Sequence, residues 1–337
     1  MSDSLSPKSQ AFTTREFRAG DEEAILDLFA RCFHHLRSSA HFDWKYRRDP
    51  FGAEHISVSF APDGRLAGHY AGYPVPFFDD GEKLIAHQIG DTMTDPAFRQ
   101  VGRGPTSVLA RTAGHFFGAF CESRIAFNYG VNVSNIQRFS HLFLRLVRVS
   151  PVSFRVRDLE THPLSPVARI ERYRGAWSLE IVSAVSREYD NFFLRVAYRY
   201  GFLVWRDATY LRWRYLECPD ASYVFAAIRK WGRLVGWSVF RINGGVMFWG
   251  DALFDPRWPD APSILLRYVV CRFPVVRIES WFPPHPPWFA AVLDELSFKR
   301  AVEPQDLAVG CVPFTCGDVV ARLQSSLYYT KGDFDLF

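Results

Sequence analysis

The chain has 337 residues, 48% of them hydrophobic and 23% charged, with a formal net charge of +4 and a pI ≈ 8.7. That length can bury two cores, and the basic residues are scattered rather than gathered, which argues against a nucleic-acid partner. No apolar run approaches the ~20 residues of a membrane span and Met1–Gln10 is polar, so a cytoplasmic protein without membrane contact is expected, as a monomer or homodimer.

In chain order, Phe17-Arg18 leads into Asp21-Glu22-Glu23-Ala24-Ile25 and Leu28-Phe29, a short strand followed by a helix. His55–Phe60, Leu66–Phe77 and Leu84–Met93 read as strands separated by Pro62-Asp63-Gly64 and Asp79-Asp80-Gly81 turn signals. Next come the loop Arg99-Gln100-Val101-Gly102-Arg103-Gly104, a helix from Pro105 to Phe120, a strand from Arg124 to Tyr129 and a helix over about Ser134–Leu144. Arg157–Ala176 reads as a connection, after which strands and helices resume from Leu179. A hairpin is expected over Leu234–Arg241, Gly244-Gly245 and Val246–Leu253. The six cysteines show no C-x-x-C pair and no histidine at ligand spacing, so buried thiols are expected and no metal.

Strand, glycine loop and helix N-terminus together present backbone N–H groups and a positive dipole end to an anion. Gly102 and Gly104 bring no Cβ and permit positive φ, while Arg99 and Arg103 add charge. The loop resembles motif A of the GNAT acyltransferase superfamily, Arg/Gln-x-x-Gly-x-Gly/Ala, and the order β-α-β-β-β-α-β-α over roughly residues 14–150 is similar to that of the same superfamily. The resemblance implies an α/β fold with a mixed sheet and acetyl-CoA, or another acyl-CoA, as co-substrate. Its pyrophosphate would rest on Arg99, Gln100, Val101, Gly102, Arg103 and Gly104. Pantetheine would pair with Met93 and Thr94, and Asn132 and Asn135 would flank the far side of the site.

An internal repeat runs beneath this order. Trp44-Lys45-Tyr46 recurs as Trp213-Arg214-Tyr215, Gly90-Asp91 as Gly250-Asp251, and Asp95-Pro96 as Asp255-Pro256. Two tandem GNAT-like domains are therefore expected: a tail over 1–13, a catalytic domain over 14–155, a linker over 156–176 and a degenerate copy over 177–337. From the aspartate to the helix leucine the first copy spans 18 positions (91 to 109) and the second 14 (251 to 265). The residues missing from the second copy are those of the phosphate loop, where Pro259-Asp260-Ala261 now stands.

Candidate acid–base groups are His87, Asp91 and His141. Gln88 stands where some relatives carry a glutamate, and an amide cannot act as a base. Asp91 has the counterpart Asp251 in a copy without the loop, which favours a structural role; His87 is open between a structural and a catalytic reading. Relatives carry a helix tyrosine that protonates the leaving thiolate, but Leu142 and Phe139 occupy the corresponding positions here, leaving His141 as a substitute. Tyr46, His69 and Tyr73 are candidate substrate contacts. The tail Tyr328–Phe337 either closes a sheet edge or enters the cleft between the domains. The expected activity is acyl transfer to the amine of a small molecule; the rivals are a non-catalytic acyl-CoA binder and a tandem-domain aminoacyl transferase.

Overall fold

A computed structural model describes residues 12–164, 177–315 and 317–337, the side chains of residues 134 and 135 excepted. Residues 1–11, most of the expected linker, Cys316 and the Asn135 side chain lie outside the described residues.

The chain opens with β1 (Thr13–Glu16) and α1 (Glu22–Phe33), whose buried Ile25, Leu28 and Phe29 recur at helical spacing. Glu22 and Glu23 complement the positive dipole end, and α1 stops at His34 in the left-handed conformation (φ 59°). The short α2 (Ser39–Phe42) runs into a π-helical turn over Asp43–Arg47. Then follow β2 (Ile56–Phe60), β3 (Leu66–Asp79), β4 (Glu82–Thr94), α3 (Val108–Phe116), β5 (Phe127–Asn132), α4 (Ser134–Phe143) and β6 (Val147–Pro151). The strand expected over 124–129 is displaced three residues along the chain, because Cys121–Ile125 is taken up by the end of a π-helical turn and a bend.

The second half supplies β7 (Phe154–Asp158), β8 (Trp177–Ile181), β9 (Phe202–Val204), β10 (Val224–Lys230), β11 (Arg233–Asn243), β12 (Val246–Phe254), β13 (Arg277–Trp281), β14 (Lys299–Ala301), β15 (Ala308–Pro313) and β16 (Leu327–Tyr328). The main paths of the two sheets are β1-β2-β3-β4-β5-β15-β6 and β14-β7-β13-β12-β11-β10-β8. Each path has one parallel pair, β4 with β5 and β12 with β13, at matching places.

The copies exchange a strand. After β6 the chain leaves the first sheet and places β7 between β13 and β14 of the second; after β14 it returns to place β15 between β5 and β6 of the first. A boundary at 155/156 therefore falls inside a strand, and residues 156–158, read from the sequence as the start of a linker, are hydrogen-bonded sheet. The signal was too weak because Phe154-Arg-Val-Arg-Asp158 alternates arginine with apolar residues and resembles a solvated edge, although Arg155 and Arg157 are buried.

The repeated tryptophans meet across the approximate twofold axis. Trp44 and Trp213 stack at 5.1 Å, and each indole N–H donates to the other residue's carbonyl, at 2.7 and 3.0 Å. Both sit in π-helical turns, and one apolar core joins them to Tyr73, Phe127, Trp237 and Trp249. Of the cysteines, Cys121 and Cys311 are buried as expected, whereas Cys32 and Cys218 are half-buried and Cys271 is exposed. Among the described residues no group of His, Cys, Asp and Glu is arranged to hold a metal ion, and no helix is long and apolar enough to cross a membrane.

Candidate active site

β4 and β5 pair only over Ala86–Gln88 against Phe127–Tyr129. Beyond that point Ile89–Thr94 and Gly130–Asn132 continue without pairing to each other, leaving a cleft between two parallel strands. The divergence starts at a bulge where the β3–β4 register shifts between His69 and Ala71 and Asp91 takes φ 49°. One extra residue there bends β4. Asp95 N–H donates to Ala67 at 2.9 Å, so by strand alternation Met93 turns its polar groups to β3, and Thr92 and Thr94 turn theirs to the cleft. This corrects the expectation for Met93 and adds Thr92. The Thr94 carbonyl already accepts from Arg99 Nε at 3.2 Å.

Past Thr94 the loop lies exposed at the cleft mouth. Val101 N–H donates to Phe98 and Arg103 N–H to Thr106 Oγ1 (3.0 and 3.1 Å), while the amides of Gln100, Gly102 and Gly104 have no acceptor among the described residues. Alternate amides thus point outward above the N-terminus of α3. Gly102 and Gly104 hold φ 72° and 54°. A Cβ at Gly102 would strike the Thr106 carbonyl, and one at Gly104 would lie 2.9 Å from the Phe143 ring of α4. Open amides, a close backbone approach and a helix N-terminus together fit a diphosphate. Asn132 lies on the open end of β5, and its carbonyl accepts from Gln137 at 2.9 Å.

Below the cleft, on the face covered by α1 and α2, a buried polar cluster surrounds the bulge. Asp91 Oδ2 accepts from Arg37, from Lys45 Nζ at 2.8 Å and from Tyr46 OH at 2.8 Å. Burial alone would raise this carboxyl, but Arg37 and Lys45 hold it well below the ordinary carboxylate range. Asp91 is therefore a fixed counter-ion, and an anion gripped by three donors is a poor proton acceptor. Burial, with Asp91 next, pushes Tyr46 well above a normal phenol. The Asp91 carbonyl bonds His69 Nδ1 at 2.7 Å; the imidazole is the donor, and burial pushes its pKa down to about 4. Tyr73 OH lies 3.4 Å from Asp335 Oδ1, and Lys45 Nζ donates to Asp335 Oδ2 at 2.6 Å.

The structure thus gathers Asp91, Tyr46, His69 and Tyr73 and adds Arg37, Lys45 and Asp335. Lys45 sits within the repeated Trp-Lys-Tyr box, whereas Arg37 lies seven residues ahead of Trp44 and no local pattern marked it. Asp335 carried no local signal, because only the tertiary path of the tail brings it to the bulge.

Two expectations are corrected. His87 points to the α3 face, fully buried against Phe116, with its Nε2 2.8 Å from His55 Nδ1. Burial and His55 push its pKa down to about 3, so it stays a neutral core group remote from the polar cluster. His141 Nδ1 faces the Leu146 carbonyl at 3.0 Å and lines a 230 Å³ pocket with Arg138, Arg148 and β15, to which no residue of β4 or of the Arg99–Gly104 loop contributes.

The second copy keeps the scaffold of this cluster. Asp251 accepts from Arg206 Nε at 3.0 Å and from Tyr215 OH at 2.6 Å. Its loop differs: Pro256, Pro259 and Pro262 have no N–H, and the amides of Arg257, Trp258 and Ala261 are bonded to Asp255 Oδ1, Asp255 O and Trp258 O at 3.1, 2.9 and 2.9 Å.

Residues 13–134 match the family described as acetyltransferase (GNAT) domain. No curated protein matches the chain by sequence. A solved structure of a conserved protein of unknown function from Enterococcus faecalis V583, described as a probable N-acyltransferase, is 14% identical, with a TM-score of 0.61 over 90% of this chain and 71% of its own. A GCN5-related N-acetyltransferase from Anabaena variabilis is 11% identical (TM-score 0.58, over 89% and 72%). Saccharomyces cerevisiae N-myristoyltransferase with bound myristoyl-CoA is 12% identical (TM-score 0.57, over 93% and 81%). The fold is that of the GNAT acyltransferases.

Proposed function

We propose that this chain, whose residues 13–134 match the acetyltransferase (GNAT) domain family, moves an acetyl or other short acyl group from acyl-CoA to the amine of a small molecule. The observation that carries this reading is the row of outward amides at Gln100, Gly102 and Gly104 at the mouth of the β4–β5 cleft. Those amides and Arg103 hold the diphosphate, and Thr92 and Thr94 offer main-chain groups to the pantetheine arm. The donor's acyl end then reaches the bulge at Asp91. There the amine nitrogen forms a C–N bond to the thioester carbon, the C–S bond breaks, and the proton lost by nitrogen ends on the thiol of CoA. Gln88, fully buried beside the bulge with Nε2 donating to Ile89 O at 2.9 Å, closes the floor of the cleft and favours a short acyl group.

The test is thiol release from acetyl-CoA over a panel of primary amines, with products identified by mass spectrometry. Amine-dependent release with an N-acetyl product is expected. Acetyl-CoA binding with no release over the panel would leave a binding protein instead.

A further inference from the structure

The C-terminal segment runs between the two copies and touches the bulge of each. On the second copy, Asp333 accepts from Arg206 Nη2 at 2.7 Å and caps Thr330 N–H at 2.7 Å. Arg214 donates to the carbonyls of Gly332 and Phe334 at 3.0 and 3.1 Å, and Tyr223 OH donates to Phe337 O at 2.8 Å. The Phe337 ring fills the space a side chain at Gly250 would take. Between these anchors, Asp335 reaches across to the first copy, where its carboxylate fills the space a side chain at Gly90 would take. Gly90 and Gly250 are repeat equivalents, so one segment of chain serves both clefts.

The groups at the first bulge differ in what they have left to offer. Lys45 is 1% exposed, and Asp91 spends Oδ2 on three donors. The Asp335 side chain is 20% exposed and holds one short bond, from Lys45, with a 3.4 Å approach from Tyr73. A carboxylate offers about four acceptor sites. Asp335 is therefore the more exposed of the two carboxylates in this cluster and has lone pairs to spare, so it complements a ligand rich in N–H. Apolar groups left in water neighbour these residues along the chain: Leu336, 48% exposed, follows Asp335, and Leu36 and Phe33, 89% and 45% exposed, precede Arg37. Exposed apolar side chains that cluster mark a binding surface more readily than isolated ones do.

We infer that the second domain acts as a socket that sets the C-terminal tail as one wall of the acceptor site, and that the acceptor is a primary amine with an apolar body. Asp335 receives its nitrogen, and Leu336, Leu36 and Phe33 pack on its chain. This rests on the transferase reading above. The copy that lost the phosphate loop thereby serves the competent site by fixing one of its residues in place.

The test is steady-state kinetics at pH 8 with saturating acetyl-CoA and ethanolamine, propylamine or hexylamine, beside calorimetry of acetyl-CoA binding. Wild type is expected to prefer hexylamine to ethanolamine by tenfold or more in kcat/KM. Asp335→Asn is expected to raise the KM for hexylamine tenfold or more with the acetyl-CoA Kd unchanged within twofold. Asp335→Glu should recover part of the loss, and Leu336→Ser should shrink the preference for hexylamine over propylamine. An unchanged amine KM in Asp335→Asn, or equal use of ethanolamine and hexylamine, would overturn the inference and leave the transferase reading standing. No binding of acetyl-CoA by wild type would overturn both.

Discussion

The loops after β4 and β12 begin alike, with Asp95-Pro96 and Asp255-Pro256, and end in opposite states. In the first, two glycines at positive φ leave alternate amides pointing to solvent; in the second, three prolines remove donors and the amides of Arg257, Trp258 and Ala261 are tied to neighbouring acceptors. Around both, the scaffold is the same: a Tyr–Asp pair, an arginine on the aspartate and a tryptophan on the twofold axis. What the scaffold shares is structural, and what separates the copies is whether main-chain N–H groups are left for a ligand.

If the copies are structurally interdependent, separating them should do the most damage. A chain ending at residue 176 keeps the loop over Arg99–Gly104 but lacks β15, so β5 and β6 each lose their antiparallel neighbour. It is expected to be insoluble or to show no cooperative melting transition; a soluble, cooperatively folded 1–176 would break the comparison. Next in size, Trp44→Ala and Trp213→Ala should each cost about 3–5 kcal/mol in denaturant unfolding. Near-equal costs would sharpen the twofold picture, and a cost below about 1 kcal/mol for either would contradict it.

The smallest effect concerns acid. His69 and His87, pushed down to about 4 and about 3, belong to the first copy, and the repeat places Met247 opposite His87. These imidazoles are neutral when folded and titrate near about 6.5 when unfolded. Their stabilising contribution is complete above about pH 6.5 and is lost as pH falls toward about 4. Hydrogen-exchange protection, taken relative to the intrinsic rate at each pH, should therefore fall more between pH 7 and pH 5 in β2–β4 than in β10–β12, and His87→Gln should flatten that trend. An equal loss of protection in both sheets would show that the acid response is not located there.

Much of the fold was legible because the hydrophobic spacing is regular: β2, β3, β4, α4 and the β11–β12 hairpin fall within a few residues of their sequence-based positions. The strand exchange was not, since β7 and β15 are ordinary short strands whose partners lie in the other copy, and local pattern carries no information about partner choice. The turn over Arg99–Gly104 was legible through its glycines, both of which take positive φ. The bulge cluster was legible in part: the Asp91–Asp251 equivalence marked the aspartate as structural, and the geometry gives it three donors. His87 misled because alternation along β4 puts its side chain on the α3 face. The tail's two readings each hold for part of it: Leu327–Tyr328 pairs at the edge with β9, and Lys331–Phe337 enters between the copies.

The claim on which the rest depends is that the first loop, and not the second, holds the diphosphate of an acyl-CoA. Isothermal titration with acetyl-CoA on wild type, Gly102→Val and Asp260→Gly tests it in one series. One site per chain is expected for wild type and for Asp260→Gly, and a loss of affinity of a hundredfold or more for Gly102→Val in a variant that still melts cooperatively. Unchanged affinity in folded Gly102→Val, or a second site per chain in wild type, would contradict it.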